Sequence, residues 1–171
     1  MKLRSLVLLL IIPFVSHAQL LNSFTLNMHA DSLSYLSIKN KKAYTTAEAG
    51  AVKADLDLGL FGTPSGKLIV TEWYNLKPDN EKVPAALTGT TTKIVALSFD
   101  RDQFDKCKTA ADLKRMTGYL TTNSFSHFAV IRNSSEYYQR CFIVETMDGK
   151  RGLLFVTDTV NGQLKVEMKI E

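Results

Sequence analysis

Apolar and polar residues alternate most regularly at the C-terminal end of the chain. From Gln163 to Ile170, Leu164, Val166, Met168 and Ile170 take every second position, and Gln163, Lys165, Glu167 and Lys169 the others. That is the period of a strand with one buried face. Leu153 to Val156 is apolar throughout, as in a central strand covered on both sides. Asp148-Gly149 and Asn161-Gly162 separate these runs from each other and from the run starting at Cys141, and such dipeptides between apolar runs are the strongest short signal for hairpins. A three-stranded antiparallel meander is therefore predicted. If each connection is a two-residue type I′ loop, Phe142 lies opposite Phe155 and Val144 opposite Leu153. The same register sets Phe155 and Leu153 against Met168 and Ile170 on one face. It puts Asp158 beside Lys165 on the other, with Cys141, Ile143, Leu154, Val156, Glu167 and Lys169.

Residues 100 to 120 are the natural cover for that second face. Asp100 with Gln103, and Thr109 with Asp112, have the spacing of capping boxes, and Gly118 is a helix stop. Ala110, Leu113, Met116 and Leu120 form a helical stripe, and Phe104 and Cys107 share a face of the shorter preceding turn. Upstream, Asp55–Phe61, Lys67–Tyr74, Lys93–Phe99 and Phe125–Arg132 are rich in β-branched, leucine or aromatic residues and read as strands. Thr45 with Glu48 starts a short helix through Val52, and Phe24, Leu26 and Met28 alternate as a first strand. Pro78–Gly89 reads as a surface loop. The predicted class is α+β, a mostly antiparallel β-sheet with a C-terminal three-stranded meander and one or two short helices packed on it.

The start of the chain changes the setting. Lys2 and Arg4 precede an apolar run from Leu6 to Val15, and Ser16-His17-Ala18 places small residues at the two positions a signal peptidase inspects. The run is too short for a membrane span of about 20 residues. Residues 1–18 are therefore expected to be a signal peptide cut near Ala18/Gln19, giving an exported protein, periplasmic or secreted, without stable membrane insertion. Residues 19–40 are expected to be an N-terminal segment and 41–171 a single α+β domain. Of the chain's 21 Lys and Arg, Lys2 and Arg4 leave with the leader, so 19 basic residues face 17 acidic ones. This near balance gives no electrostatic basis for nucleic-acid binding. Export also places Cys107 and Cys141 where disulfides persist. One bridge closing about 35 residues would contribute on the order of 3 to 4 kcal/mol, and two buried free thiols are the alternative.

Candidate chemistry is sparse. Only His29 and His127 follow the leader, and His127 in Phe125-Ser126-His127-Phe128 has the surroundings of a core or interface residue. If Asp55 and Asp57 lie on a strand, both carboxylates project from one face about 7 Å apart. Glu72 can join them from the next strand, in Thr71-Glu72-Trp73-Tyr74. Carboxylates beside Trp73 and Tyr74 are what a sugar site uses, since ring faces stack on pyranose faces and carboxylates accept hydroxyl protons. Lys39, Lys41 and Lys42 make a short basic turn, and Asn133-Ser134-Ser135 is a glycosylation sequon. There is no P-loop, dinucleotide GxGxxG, HExxH, GxSxG or zinc-type Cys/His spacing. No catalytic residue, metal ligand or cofactor is assigned.

Lys42-Ala43-Tyr44-Thr45-Thr46-Ala47-Glu48-Ala49-Gly50, followed by Asp55-Leu56-Asp57-Leu58-Gly59-Leu60-Phe61 and later by Asp148-Gly149-Lys150-Arg151-Gly152-Leu153, resembles small uncharacterised exported proteins of Bacteroidetes bacteria. The likeness runs over residues 40 to 170, and the leader ending before Gln19 is similar as well. It implies a Gram-negative periplasmic or extracellular setting and brings no activity with it. Several such proteins are lipoproteins, but here no cysteine follows the small residues of the leader. The expectation is a non-catalytic binding or interaction module for an extracellular glycan or protein. It would use an exposed sheet face or the loops near Trp73 and Pro78–Gly89. The alternative is a carboxylate- or metal-dependent extracellular hydrolase built on Asp55, Asp57 and Glu72.

Overall fold

Alternating apolar residues along most of the strands require two opposed sheets to bury them, and that is the architecture found. The structure, a computed structural model, describes residues 19–29, 33–65, 68–133, 138–158 and 163–171. The leader, the Asn161-Gly162 turn and Ser134-Ser135 of the sequon lie outside the described residues. Along the chain the elements are β1 (Asn22–His29), β2 (Ser34–Ser37), β3 (Lys42–Thr45), α1 (Thr46–Ala49), β4 (Leu58–Ser65), β5 (Leu68–Asn75), β6 (Lys93–Leu97), α2 (Arg101–Lys106), α3 (Ala110–Thr117), β7 (Phe128–Val130), β8 (Arg132–Asn133), β9 (Tyr138–Gln139), β10 (Cys141–Glu145), β11 (Arg151–Asp158) and β12 (Gln163–Ile170). One antiparallel sheet has the order β1-β12-β11-β10-β6, the other β3-β2-β4-β5-β7, and β8 and β9 form a separate pair. The sheets meet along one edge, where Ile94 and Ser126 exchange both backbone hydrogen bonds. The segment 19–40 thus supplies a strand to each sheet.

Three apolar layers follow from the pleat. Between the sheets, Phe142, Val144, Leu154, Val156, Val166 and Met168 meet Leu36, Leu58, Leu60 and Trp73. On the outside of the first sheet, Cys141, Ile143, Leu153 and Phe155 lie under Phe104, Cys107 and Leu113. Outside the second sheet, Tyr35, Phe61 and Tyr74 are covered by Ala49, Val83 and Leu87. The predicted meander is present, and β11 is its central strand, but its register is shifted by one residue. Phe142 pairs with Leu154, Val144 with Gly152, Leu154 with Met168, and Thr157, not Asp158, with Lys165. Leu153 and Phe155 therefore face the helices, and Leu154 and Val156 face the inter-sheet core.

The cause of the first shift is the turn. Thr146 N–H donates to Lys150 O at 2.9 Å and Gly149 N–H to Thr146 O at 2.9 Å, with Gly149 at φ +81°. Met147-Asp148-Gly149 is thus a three-residue loop with glycine in the left-handed region, whereas a type I′ loop needs positive φ at Asp148 as well. One extra residue in a loop turns every following side chain over. At the second connection, Asp158 pairs with Leu164. The intervening residues 159 to 163 are odd in number, which a two-residue loop cannot provide.

The helices start where the capping boxes predict. Asp100 and Thr109 each accept from the third helical N–H, with Gln103 and Asp112 reaching back, and the same box at Thr45 and Glu48 opens α1. Two basic residues fix α2 to the sheet. Arg101 forms a bidentate pair with Glu167 at 2.6 and 3.1 Å and also meets Asp105. Lys169 donates to the carbonyls of Phe104 at 2.6 Å and Cys107 at 2.8 Å, which satisfies acceptors left over at the helix end. Partial burial lowers the Lys169 pKa. Cys107 and Cys141 do not form the expected bridge. Both are buried free thiols, not at bonding distance, that pack as small apolar groups in the layer under α2 and α3. Burial pushes the Cys141 thiol up to about 12, against the thiolate that redox or nucleophilic chemistry requires.

Candidate functional site

Strand alternation divides the Glu72-Trp73-Tyr74 group. Trp73 points inward between the sheets with no exposed surface, so its ring is not available to a ligand. Glu72 and Tyr74 point outward, and Tyr74 pairs across the ladder with Phe128 on the edge strand β7. The two rings stack at 6.2 Å between centroids and 26° between planes, and Phe128 keeps 41% of its surface exposed. A large aromatic left open beside a buried one is a ready contact surface for a ligand ring.

The far wall is the loop after β5. Asn80 holds it in place: its side-chain N–H donates to Asn75 O at 3.1 Å, its Oδ1 accepts from Lys82 N–H at 3.1 Å, and its carbonyl from Val83 N–H at 2.9 Å. Val83 and Leu87 anchor the loop in the outer core of the second sheet. This folds Lys82 back over β5, where its ammonium donates to Glu72 at 3.2 Å and to the Tyr74 hydroxyl, and lies 4.7 Å from the Tyr74 ring centroid. The cleft so enclosed has a volume of about 650 Å³ and is lined by Glu72, Tyr74, Asn75, Lys77, Asp79, Asn80, Glu81, Lys82, His127 and Phe128. That is within the usual range for small-molecule sites. At its base Asn75 is only 2% exposed, and its Oδ1 has no hydrogen-bond partner. A buried acceptor left unpaired costs about 1 to 3 kcal/mol, and a ligand N–H or O–H could satisfy it.

Asp55 and Asp57 belong to a different place. The alternation Asp55-Leu56-Asp57-Leu58 is not strand there, because Lys53–Asp55 closes a 3-10 turn and β4 begins only at Leu58. Asp55 pairs with Lys39 at 2.7 Å on the surface. Asp57 is 7% exposed, and its two oxygens accept from Ile38 N–H at 2.8 Å and Thr92 Oγ1 at 2.9 Å. Burial raises its pKa, with Asp148 and Asp55 adding to the effect, against the lowering by those two hydrogen bonds. Both aspartates line a second cleft of about 550 Å³ with Lys39, Asp148 and Lys150, which shares no residue with the first. The three carboxylates Asp55, Asp57 and Glu72 are thus not one constellation. Among the described residues, no group of three or more His, Cys, Asp or Glu is arranged to hold a metal ion.

The first cleft is the better site. Of its carboxylates, Glu72 is paired to Lys82 and Asp79 to Lys77, no Ser, Thr or Cys is among the described residues lining it, and what it offers is a ring face, ion pairs and amide groups. Phe128 and Asn75 carried no periodic or motif signal in the sequence, and His127 had only its apolar neighbours. Glu72, Tyr74 and the loop Pro78–Gly89 were the legible part. Among the described residues, no helix is long and apolar enough to cross a membrane. No family model, curated protein or solved structure matches the chain.

Proposed function

We propose that the protein is an exported, non-catalytic binding module that takes an extracellular glycan or protein group into the cleft between Phe128 and Lys82. The observation that carries this reading is the Phe128 ring, held half open by its stacking on Tyr74 at the mouth of a preformed cleft. The loop's hydrogen bonds around Asn80 mean that little order has to be gained on binding. Glu72 and Lys82 present a matched acceptor and donor in place of a free nucleophile. The leader reading, with cleavage near Ala18/Gln19, and the resemblance to exported Bacteroidetes proteins support a role outside the cytoplasm.

The test is a calorimetric titration of the purified protein against panels of oligosaccharides and peptides, repeated with Phe128→Ala. Phe128 is exposed, so the variant should keep its fold while losing roughly tenfold or more in affinity for the true ligand. Turnover of a substrate that disappears with replacement of one carboxylate or of His127 would overturn the non-catalytic reading.

A further inference from the structure

The cleft does not end at His127. A further cavity of about 280 Å³ adjoins it, walled by Thr91, Lys93, Phe125 and Ser126 and sharing Asn75, Lys77 and His127 with the first. The two form a groove crossing the edge where the sheets are joined by Ile94 and Ser126. Its two ends differ in charge. The first has Glu72, Asp79 and Glu81 beside Lys77 and Lys82, whereas the ionisable groups in the wall of the second are Lys77, Lys93 and His127, with no Asp or Glu among the described residues lining it.

We propose that this groove binds a linear oligosaccharide carrying carboxylate groups, with one sugar ring on Phe128 and a carboxylate of a following unit between Lys77 and Lys93. The proposal rests on the reading of the first cleft as a ligand site and names its ligand class. Three features of the groove select it. The open ring face of Phe128 suits the apolar face of a pyranose, and the carboxylates of the first cavity accept hydroxyl protons. The unpartnered Oδ1 of Asn75, whose side chain lines both cavities, calls for a donor from the ligand at the junction. The basic wall of the second cavity then calls for an anion one unit further along. Lys77 and Lys93 each have a carboxylate partner, Asp79 at 3.2 Å and Glu145 at 3.7 Å, outside that cavity's wall, and each ammonium has three N–H donors, so a ligand carboxylate can be accepted as a second partner.

The experiment is a calorimetric titration of the purified protein with tri-galacturonate, its methyl ester, the galacturonate monomer and an acidic peptide. The expected result is that the trimer binds on the order of tenfold or more tighter than either the ester or the monomer. The exposed-site replacements Lys77→Gln and Lys93→Gln, singly and together, should remove the preference for acid over ester. Phe128→Ala should weaken acid and ester alike. Equal binding of acid and ester, still dependent on Phe128, would overturn the acidic-glycan proposal and leave the cleft reading standing, and so would Phe128-dependent binding of the peptide alone. Binding that ignores Phe128 altogether would overturn both.

Discussion

Replacing Asp57 separates the value of its hydrogen bonds from the cost of burying its charge. In Asp57→Ala, Ile38 N–H loses its acceptor inside the protein, and the buried Thr92 hydroxyl is left with only Thr90 Oγ1, at 3.3 Å. A stranded buried donor costs about 1 to 3 kcal/mol, the weaker Thr92 bond adds to it and release of the buried carboxylate offsets part of it, so a net loss of roughly 1 to 3 kcal/mol is expected. In Asp57→Asn the amide oxygen still accepts from Ile38. The amide nitrogen can donate to Thr92 Oγ1, which in turn has Thr90 Oγ1 as a partner at 3.3 Å. The asparagine variant should therefore fall within about 1 kcal/mol of the parent protein. The pH dependence fixes the sign. Asp57 has a raised pKa in the folded protein, so its ionised form favours the unfolded chain. That penalty is full above the folded pKa and absent below the unfolded value near 4. Glu48, Asp105, Asp112 and Glu167 are shifted downward by their partners and push the other way, but they are common to both proteins and cancel in the difference. Urea denaturation from pH 3 to 8 should show the asparagine variant gaining on the parent as pH rises, with the slope m unchanged. A difference that is flat with pH, or that moves against the variant as pH rises, would refute the argument that burial outweighs the two hydrogen bonds.

Gly149→Ala tests the turn that sets the register. No heavy atom lies within 4 Å of the added Cβ, so the left-handed backbone alone should cost about 1 to 2 kcal/mol, and Gly149→Asn less, in urea midpoints. A neutral alanine variant would mean that the loop is not of the type described. For the thiols, alkylation of the native protein at pH 8 followed by mass spectrometry should leave Cys107 and Cys141 unmodified, and denaturation should expose both. With Cys141 near 12, its thiolate fraction is on the order of one in ten thousand at that pH. Recovery of a Cys107–Cys141 bridge from the folded protein would contradict the packing of the helical layer.

What could be read from the sequence was what short-range hydrogen bonding decides. The three capping boxes bond over three residues, and Asp100, Thr109 and Thr45 each open the predicted helix. The strand Gln163–Ile170 was legible from its period-two patterning, the one at Leu68–Asn75 from its β-branched and aromatic residues, and the antiparallel α+β class from the hairpin and helix signals together. The register was not, because Asp148-Gly149 fits both a two-residue loop and a three-residue one with glycine last, and which forms depends on Thr146 bonding to Lys150. Asp57 escaped because its two partners lie 19 and 35 residues away. Trp73 was drawn to the surface by its polar neighbours, although alternation places it opposite to Glu72 and Tyr74. The cleft itself needs β5, β7 and the loop from Pro78 at once, a meeting of distant segments that only tertiary packing creates.

The pairing of Asn22 with Ile170, and of His29 with Gln163, has a consequence for biogenesis. The earliest and latest strands of the described chain are neighbours, so half of the sandwich has no partner for its opening segment until nearly the whole polypeptide has been delivered. Such long-range closure is slow, and it leaves an unzipped edge open to association with other chains in the interval. A polypeptide wired this way stays pliable until nearly all of it has been made, and its opening segment is locked only when the two ends find each other.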